Sequence, residues 1–257
     1  MATVHPTAIV AADADLAGDV TVGPHAIVGP KVTVGAGSRL GAGSILERNV
    51  RLGARVTVGS GSILGGDPQD LKYQGEETWV EIGDETIIRE YCTINRGTTQ
   101  SFKTTVGRRC LVMTYVHLAH DCHVGDGVIL SNGVGLAGHV YIGDRAVVGG
   151  MTGVHQFVAI GPFAFIGGMA KVTKDIPPYV RADGSPARLF GLNAIGLRRA
   201  GFARETRAEL RKAYRLFFRS DLNIHQALER AKAELAPLPE IETFVGFIAA
   251  SERGVAV

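Results

Sequence analysis

Several groups that mark common protein classes are scarce in this 257-residue chain. Cysteine occurs only at Cys92, Cys110 and Cys122, at unrelated spacings that offer neither a disulfide framework nor a CxxC metal pair. Free thiols in a reducing compartment are therefore expected. Lys and Arg total 27 against 25 Asp and Glu, a net charge of +2, which lacks the one-signed excess of a nucleic-acid binder. No apolar run of about 20 residues is present, and no basic segment leads into a shorter one at the N-terminus. These absences predict a cytoplasmic chain with no stable membrane insertion. What the chain does have is 46% apolar residues, enough for a large core, and 34 glycines.

The apolar residues are ordered. Stepping by six from Val4 to Val172, every position is aliphatic except Asp70, Glu76 and Gln100. Glycine often follows (Gly23, Gly29, Gly35, Gly41, Gly53, Gly59), and the residue two earlier is small or Val (Ala26, Val32, Ser38, Ser44, Val50). A period of six fits neither an amphipathic helix nor a freely alternating strand. It fits a short strand plus a corner, with two inward residues per side and glycine expected where the backbone bends. Six residues at ~3.3 Å make a side of roughly 20 Å, and coils stacked at ~4.8 Å share one core that no single coil could close. The chain is thus expected to be a parallel β-solenoid.

The repeat lapses at 66–79 and 97–105, which read as loops thrown out from the coils, where function tends to sit. It ends after Asp175-Ile176-Pro177-Pro178-Tyr179. Segment 203–219 places Leu210, Ala213, Tyr214 and Phe217 on one helical face, and 223–235 and 239–252 also have helical character. Two domains are expected: a β-helix over 1–186 with its two loops, and a C-terminal helical domain over 187–257 covering the open end of the solenoid.

Five of the eight histidines fall at 117, 120, 123, 139 and 155, and none takes an inward position of the hexad. Residues 18 apart should lie on adjacent coils, so His120 stacks with Gly138 and Gly138 with Gln156, with His139 and His155 beside them. An imidazole one coil from a glycine N–H suits deprotonation of a hydroxyl and reception of an oxyanion.

The run His117-Leu118-Ala119-His120-Asp121-Cys122, together with Asp70-Leu71-Lys72-Tyr73, Thr93-Ile94-Asn95-Arg96-Gly97-Thr98, Gly149-Gly150-Met151-Thr152, Val154-His155-Gln156-Phe157 and Asp175-Ile176-Pro177-Pro178-Tyr179, resembles the UDP-N-acetylglucosamine O-acyltransferase family over essentially the whole chain. The resemblance implies a left-handed parallel β-helix with three hexads per coil. It also implies transfer of a 3-hydroxyacyl chain from acyl carrier protein to the glucosamine 3-position of UDP-N-acetylglucosamine, the opening step of lipid A synthesis. His120 matches the family's general base, Asp121 its orienting partner, and Gly138 the N–H that meets the oxyanion. Gln69, Asp70, Lys72, Asn95, His117, His139, His155, Gln156, Asn193 and Arg199 match substrate-contacting positions, and Gly168 matches the place where the acyl chain's far end is measured. No covalent acyl-enzyme, cofactor or metal is implied beyond the donor's phosphopantetheine. A homotrimer with the cleft between subunits is implied as well.

Two positions depart from the family pattern, which often has histidine at Asn95 and a second arginine at Ala200. Asn95 cannot titrate, so amide formation on a 3-amino analogue of the sugar nucleotide stands as the alternative reaction. Nine basic residues between 187 and 219, including Arg198, Arg199 and Arg204, face only Glu205 and Glu209, a charge bias suited to an acidic carrier protein. A zinc carbonic-anhydrase-like solenoid would need two histidines five residues apart, and no pair among these five has that spacing. A purely structural or ice-binding solenoid would present a flat threonine array without loops.

Overall fold

The computed structural model describes residues 1–257. Three parallel sheets of 11, 9 and 8 strands form the sides of a prism. Most strands are two residues long, an outward residue followed by an inward one, as in Thr21–Val22 and Thr33–Val34. Each strand pairs with the one 18 residues on: Val22 with Leu40, Val28 with Leu46, Val34 with Leu52. Across the two loops the partners are further apart in sequence, Leu64 with Ile94 and Ile88 with Val112; a bulge follows Leu64, and inward residues still pair with inward ones. The inward aliphatics form one continuous cluster with Val50, Leu118, Leu130, Leu136, Ile142 and their neighbours at or near zero exposure.

At several of the small inward positions a hydroxyl or thiol donates to a carbonyl of an adjacent coil: Ser62 Oγ to Arg89 O at 2.6 Å, Cys110 Sγ to Gly125 O at 3.0 Å, Cys122 Sγ to Ala137 O at 3.2 Å. The cysteines are free and buried, and burial pushes the Cys122 thiol up to about 12. They pack as serine equivalents, with the thiol as a weak donor.

Glycine has a different role from the one the repeat suggested. The bends fall two residues after the glycine position and are made mostly by side-chain-bearing residues in the left-handed region, such as His25 (φ 56), Lys31 (φ 54) and Arg55 (φ 55). Left-handed backbone costs such residues roughly 1–2 kcal/mol, which the interlocked coils hold in place through bonds such as Arg55 N–H to Ala36 O at 2.7 Å. Glycine is needed at the preceding position because coils approach closely there. A Cβ on Gly29 would lie 1.7 Å from Glu47 O.

At the C-terminal end every sheet edge is covered. Val180–Asp183 extends one sheet and pairs antiparallel with Arg188–Leu192, a hairpin that the repeat did not announce. The expected domain boundary at 186/187 falls in the turn of this hairpin. The second sheet's edge at Lys171 is closed by backbone bonds with Gly184 and Ala187. The third is extended by bridges from Ile160 to Ile176 and from Asp175 to Val255.

Four helices follow: α1 (Ala194–Arg199), α2 (Arg204–Phe218), α3 (Ile224–Glu234) and α4 (Pro239–Ala250). Helix α1 was not expected from the sequence; the other three lie within the expected segments. The apolar face of α2 buries Leu210, Ala213, Tyr214 and Phe217, and Phe217 packs edge-on against Phe244 of α4. Asn223 and Gln226 form a reciprocal cap at the start of α3. No helix is long and apolar enough to cross a membrane.

Truncating an inward residue should leave a cavity that the rigid ladder cannot close. Leu130→Ala is expected to cost about 3 kcal/mol, against less than about 0.5 kcal/mol for the outward Thr21→Ala. Equal shifts of the denaturant midpoint for the two variants would contradict the inward–outward assignment.

Candidate active site

Asp121 sits in the left-handed region (φ 60) at a corner of the prism, with a carboxylate 1% exposed. Five donors point hydrogens at it, among them the Ser101 backbone N–H at 3.3 Å. Thr98 donates through its backbone N–H (2.9 Å) and its hydroxyl (2.7 Å), Ser101 through its hydroxyl, and His120 through Nδ1 (2.8 Å). Burial alone would raise the Asp121 pKa, but the bonds from Ser101, His120 and Thr98 outweigh it and hold the carboxyl below the ordinary range. An ionised Asp121 accepts, so the His120 hydrogen sits on Nδ1 and Nε2 keeps its lone pair. The second loop, which supplies Thr98 and Ser101, therefore sets the tautomer of His120.

The free Nε2 faces Gly138. A Cβ on Gly138 would lie 2.6 Å from His120 Cε1 and 2.7 Å from Nε2, so only glycine leaves room for the ring. The Gly138 N–H has no partner within the chain. On the next corners His139 (φ 63) stacks flat on Phe157 (φ 61) at 4.4 Å and meets His120 edge-on at 4.9 Å. His117 accepts from or donates to Thr93 Oγ1 through Nδ1 at 2.7 Å. Burial pushes the pKa of both His117 and His139 down, which favours neutral rings near neutral pH.

Two adjoining grooves, each of about 620 Å³, meet at this point and share Gln69, His120 and Gln156. The first adds His117, Gly138 and His155, and the second adds Asp70, Lys72 and His139. The loop carrying Gln69, Asp70 and Lys72 is anchored from below by Arg96, the largest fully buried side chain, which donates to Gly65 O, Asp67 Oδ1 and Tyr73 OH. Asn95 donates to Asp67 O at 2.7 Å and is 8% exposed. Its place is at the root of the loop and not on a groove wall, so it shapes the site through Asp67.

A family model described as "Udp N-acetylglucosamine O-acyltransferase; Domain 2" matches residues 175–256, and one for bacterial transferase hexapeptides matches 103–138. A protein of Syntrophobacter fumaroxidans named acyl-[acyl-carrier-protein]–UDP-N-acetylglucosamine O-acyltransferase is 44% identical, with 98% of each chain covered. The solved structure of LpxA from Acinetobacter baumannii superposes with a TM-score of 0.96 at 44% identity, covering 99% of both chains. That of LpxA, a UDP-N-acetylglucosamine acyltransferase from Bacteroides fragilis, gives 0.97 at 38% identity, covering 99% of this chain and all of that one. The chain belongs to the UDP-N-acetylglucosamine O-acyltransferase family.

The hexapeptide solenoid with C-terminal helices expected from the repeat is thus the family's fold. Of the site residues inferred from the family resemblance, Gln69, Asp70, Lys72, His117, His120, Gly138, His139, His155 and Gln156 line the paired grooves, with Asp121 behind His120. Gly168, Asn193 and Arg199 line neither groove of their own chain. Gly168 is exposed on a corner near Gly150, Asn193 caps α1 by accepting from Gly196 N–H, and Arg199 is exposed in the last turn of α1. His123 belongs to another face, bonded to Thr105 and stacked on Tyr141 at 5.2 Å. Lys171 and Thr173 line the groove although sequence reasoning did not select them; the lysine stands 18 residues beyond Gly153, which the register would have shown.

His120, Asp121 and His139 bring potential ligand atoms within 4.8 Å of one another. The Asp121 oxygens are already filled by donors from Thr98, Ser101 and His120, which leaves no lone pairs directed at a cation. The group fits an oriented base better than a metal cage.

Gly138→Ala should displace the imidazole and lower turnover about 100-fold, since small misplacements of a catalytic group cost that much, with little change in melting temperature. Wild-type turnover in that variant would sink the assignment of Gly138 as the space for His120. Asp121 has a depressed folded pKa, so its contribution to stability is present above its unfolded pKa and is lost as pH falls through the lower folded value. Asp121→Asn should accordingly flatten the acid arm of the stability profile, as denaturation at a series of pH values would show.

Proposed function

We propose that this chain transfers a 3-hydroxyacyl group from acyl carrier protein to the 3-hydroxyl of UDP-N-acetylglucosamine, as the first step of lipid A biosynthesis. The observation that carries the reading is the Asp121–His120 pair, whose Nε2 faces the unpartnered Gly138 N–H across an open cleft. His120 takes the sugar hydroxyl's proton as its oxygen attacks the thioester carbonyl. The Gly138 N–H receives the developing oxyanion, and collapse expels the phosphopantetheine thiolate, which takes up the proton held by His120 and so restores the base. No covalent acyl-enzyme is needed: the three cysteines are buried, and the Cys122 thiol is held protonated.

In this reading His117, His139, His155, Gln156 and Lys171, which line the cleft, bind the nucleotide sugar, and Gln69, Asp70 and Lys72 bind the sugar and the donor arm. A homotrimer completes the site. Two of the three outer faces support this, because they carry rows of outward apolar residues: Ile9, Ile27, Ile45 and Ile63 on one, and Ile87, Leu111, Ile129, Val147 and Phe165 on another. Packed against a neighbour, such rows would be withdrawn from water. Asn193, Arg199 and Gly168, which do not line their own chain's grooves, would then act at a subunit boundary. The exposed arginines of α1 and α2 give the acidic carrier protein a docking face.

Mass spectrometry of products from UDP-N-acetylglucosamine, its 3-amino analogue and a panel of 3-hydroxyacyl carrier proteins tests the reaction. An O-acylated sugar is expected, falling by about 10²–10⁴-fold in His120→Ala and unaffected by a metal chelator. Product from the amino analogue alone would make the protein an N-acyltransferase, and loss of activity on chelation would reject the metal-free mechanism.

A further inference from the structure

His155 and His120 line the same cleft, but their Nδ1 atoms meet partners of opposite sign. The segment after α4 returns along the last coil and is fixed there by Asp175, 4% exposed. Asp175 Oδ2 accepts from Ser251 Oγ at 2.7 Å, Oδ1 accepts from Ala159 N–H at 2.8 Å, and the Asp175 backbone pairs with Gly254 and Ala256. This places Arg253 between two acceptors. Its Nε donates to Thr173 O at 2.9 Å and its Nη2 lies 2.8 Å from His155 Nδ1.

A guanidinium has only donors, so a contact at that distance requires an unprotonated Nδ1, and the ring hydrogen is on Nε2. The carbonyl of Gln156 lies 3.2 Å from the same Nδ1 and would select the other tautomer, in which Nδ1 donates to it. The two contacts exclude each other. The closer, charge-assisted one prevails while Arg253 is present.

We propose that Arg253 is a positioning residue that fixes His155 as an Nε2–H donor toward an anionic group of the acceptor, a nucleoside diphosphate sugar. Acid and base partners thus give two imidazoles in one cleft opposite roles, His120 with a lone pair to take a proton and His155 with a hydrogen to bind one. Without Arg253, His155 turns its hydrogen to Gln156 O and presents a lone pair to the ligand's negative charge. Lys171 lines the same stretch of cleft and supports an anionic occupant there. The acceptor's identity rests on the function proposed above, whereas the tautomer does not.

The test has two arms on the full-length protein. In ¹⁵N NMR of histidine-labelled protein without ligand, with the ring assigned by its loss in His155→Gln, His155 should carry its hydrogen on Nε2 in the wild type and on Nδ1 in Arg253→Met. A wild-type Nδ1–H, or a pattern unchanged by the substitution, overturns the proposal. In kinetics, Arg253→Met should raise KM for UDP-N-acetylglucosamine about tenfold, with kcat held within about twofold, as expected for loss of a charge-supported binding contact. Arg253→Lys, which keeps the charge, should recover part of that loss. In a His155→Gln background Arg253→Met should add less than about twofold, because the two act as one unit. A full, independent tenfold rise there would show that Arg253 does not act through His155. Should the wild type fail to turn over this acceptor, the function proposed above fails, while the NMR arm still decides the tautomer.

Discussion

The backbone ladder between coils, which outside the loops sets each strand residue beside the one 18 positions away, underlies every other feature of the molecule. It converts a linear pattern into three columns of buried aliphatics, and it does so without any help from neighbouring elements of different type. Because the ladder from Leu111 onward is parallel and steps by 18, a corner residue on one of these coils lies over a corner residue on the next. Asp121, His139 and Phe157 therefore form a column, and His120 meets Gly138. The site is assembled by register. The loops then add what a strict repeat cannot, namely hydrogen-bond donors for one carboxylate and a second wall for the cleft.

Much of this was legible in the residues. Leu118, Leu130 and Leu136 are buried because the six-residue phase says so, and the stacking of His120 on Gly138 follows from counting. The role of glycine was not legible, because the same sequence position fits a bend and a close approach, and only the proximity of Gly29 to Glu47 separates them. The hairpin 180–192 and helix α1 were hidden for another reason: each is too short for its periodicity to show. Asn95 was selected by its motif, but its reach to Asp67 depends on how the first loop folds back. Arg96 and Arg253 make contacts 29 and 98 residues away, and nothing local marks either one.

The buried charges illustrate how position decides the use of a group. Arg96 is 0% exposed with no catalytic duty, its guanidinium donating to the Gly65 carbonyl, the Tyr73 hydroxyl and the Asp67 carboxylate to hold a loop in place. Asp121 is nearly as buried, yet its acceptors are filled so that one donor is an imidazole whose other nitrogen remains free. Removing a partner from either leaves a charge without compensation in a dry setting, a situation that costs several kcal/mol. The sequence places both within reach of the loops, where the strict hexad is suspended.

The left-handed corners have an evolutionary consequence. Within each hexad the inward pair and the close-approach position are constrained by neighbouring coils, but most corner side chains project from the prism and carry little of the core. Substitution there changes what the surface offers without changing how the coils stack. The scaffold and the chemistry are thus written on different letters of the same six-letter word, so one solenoid can be re-equipped for a new acceptor or donor by editing a single column.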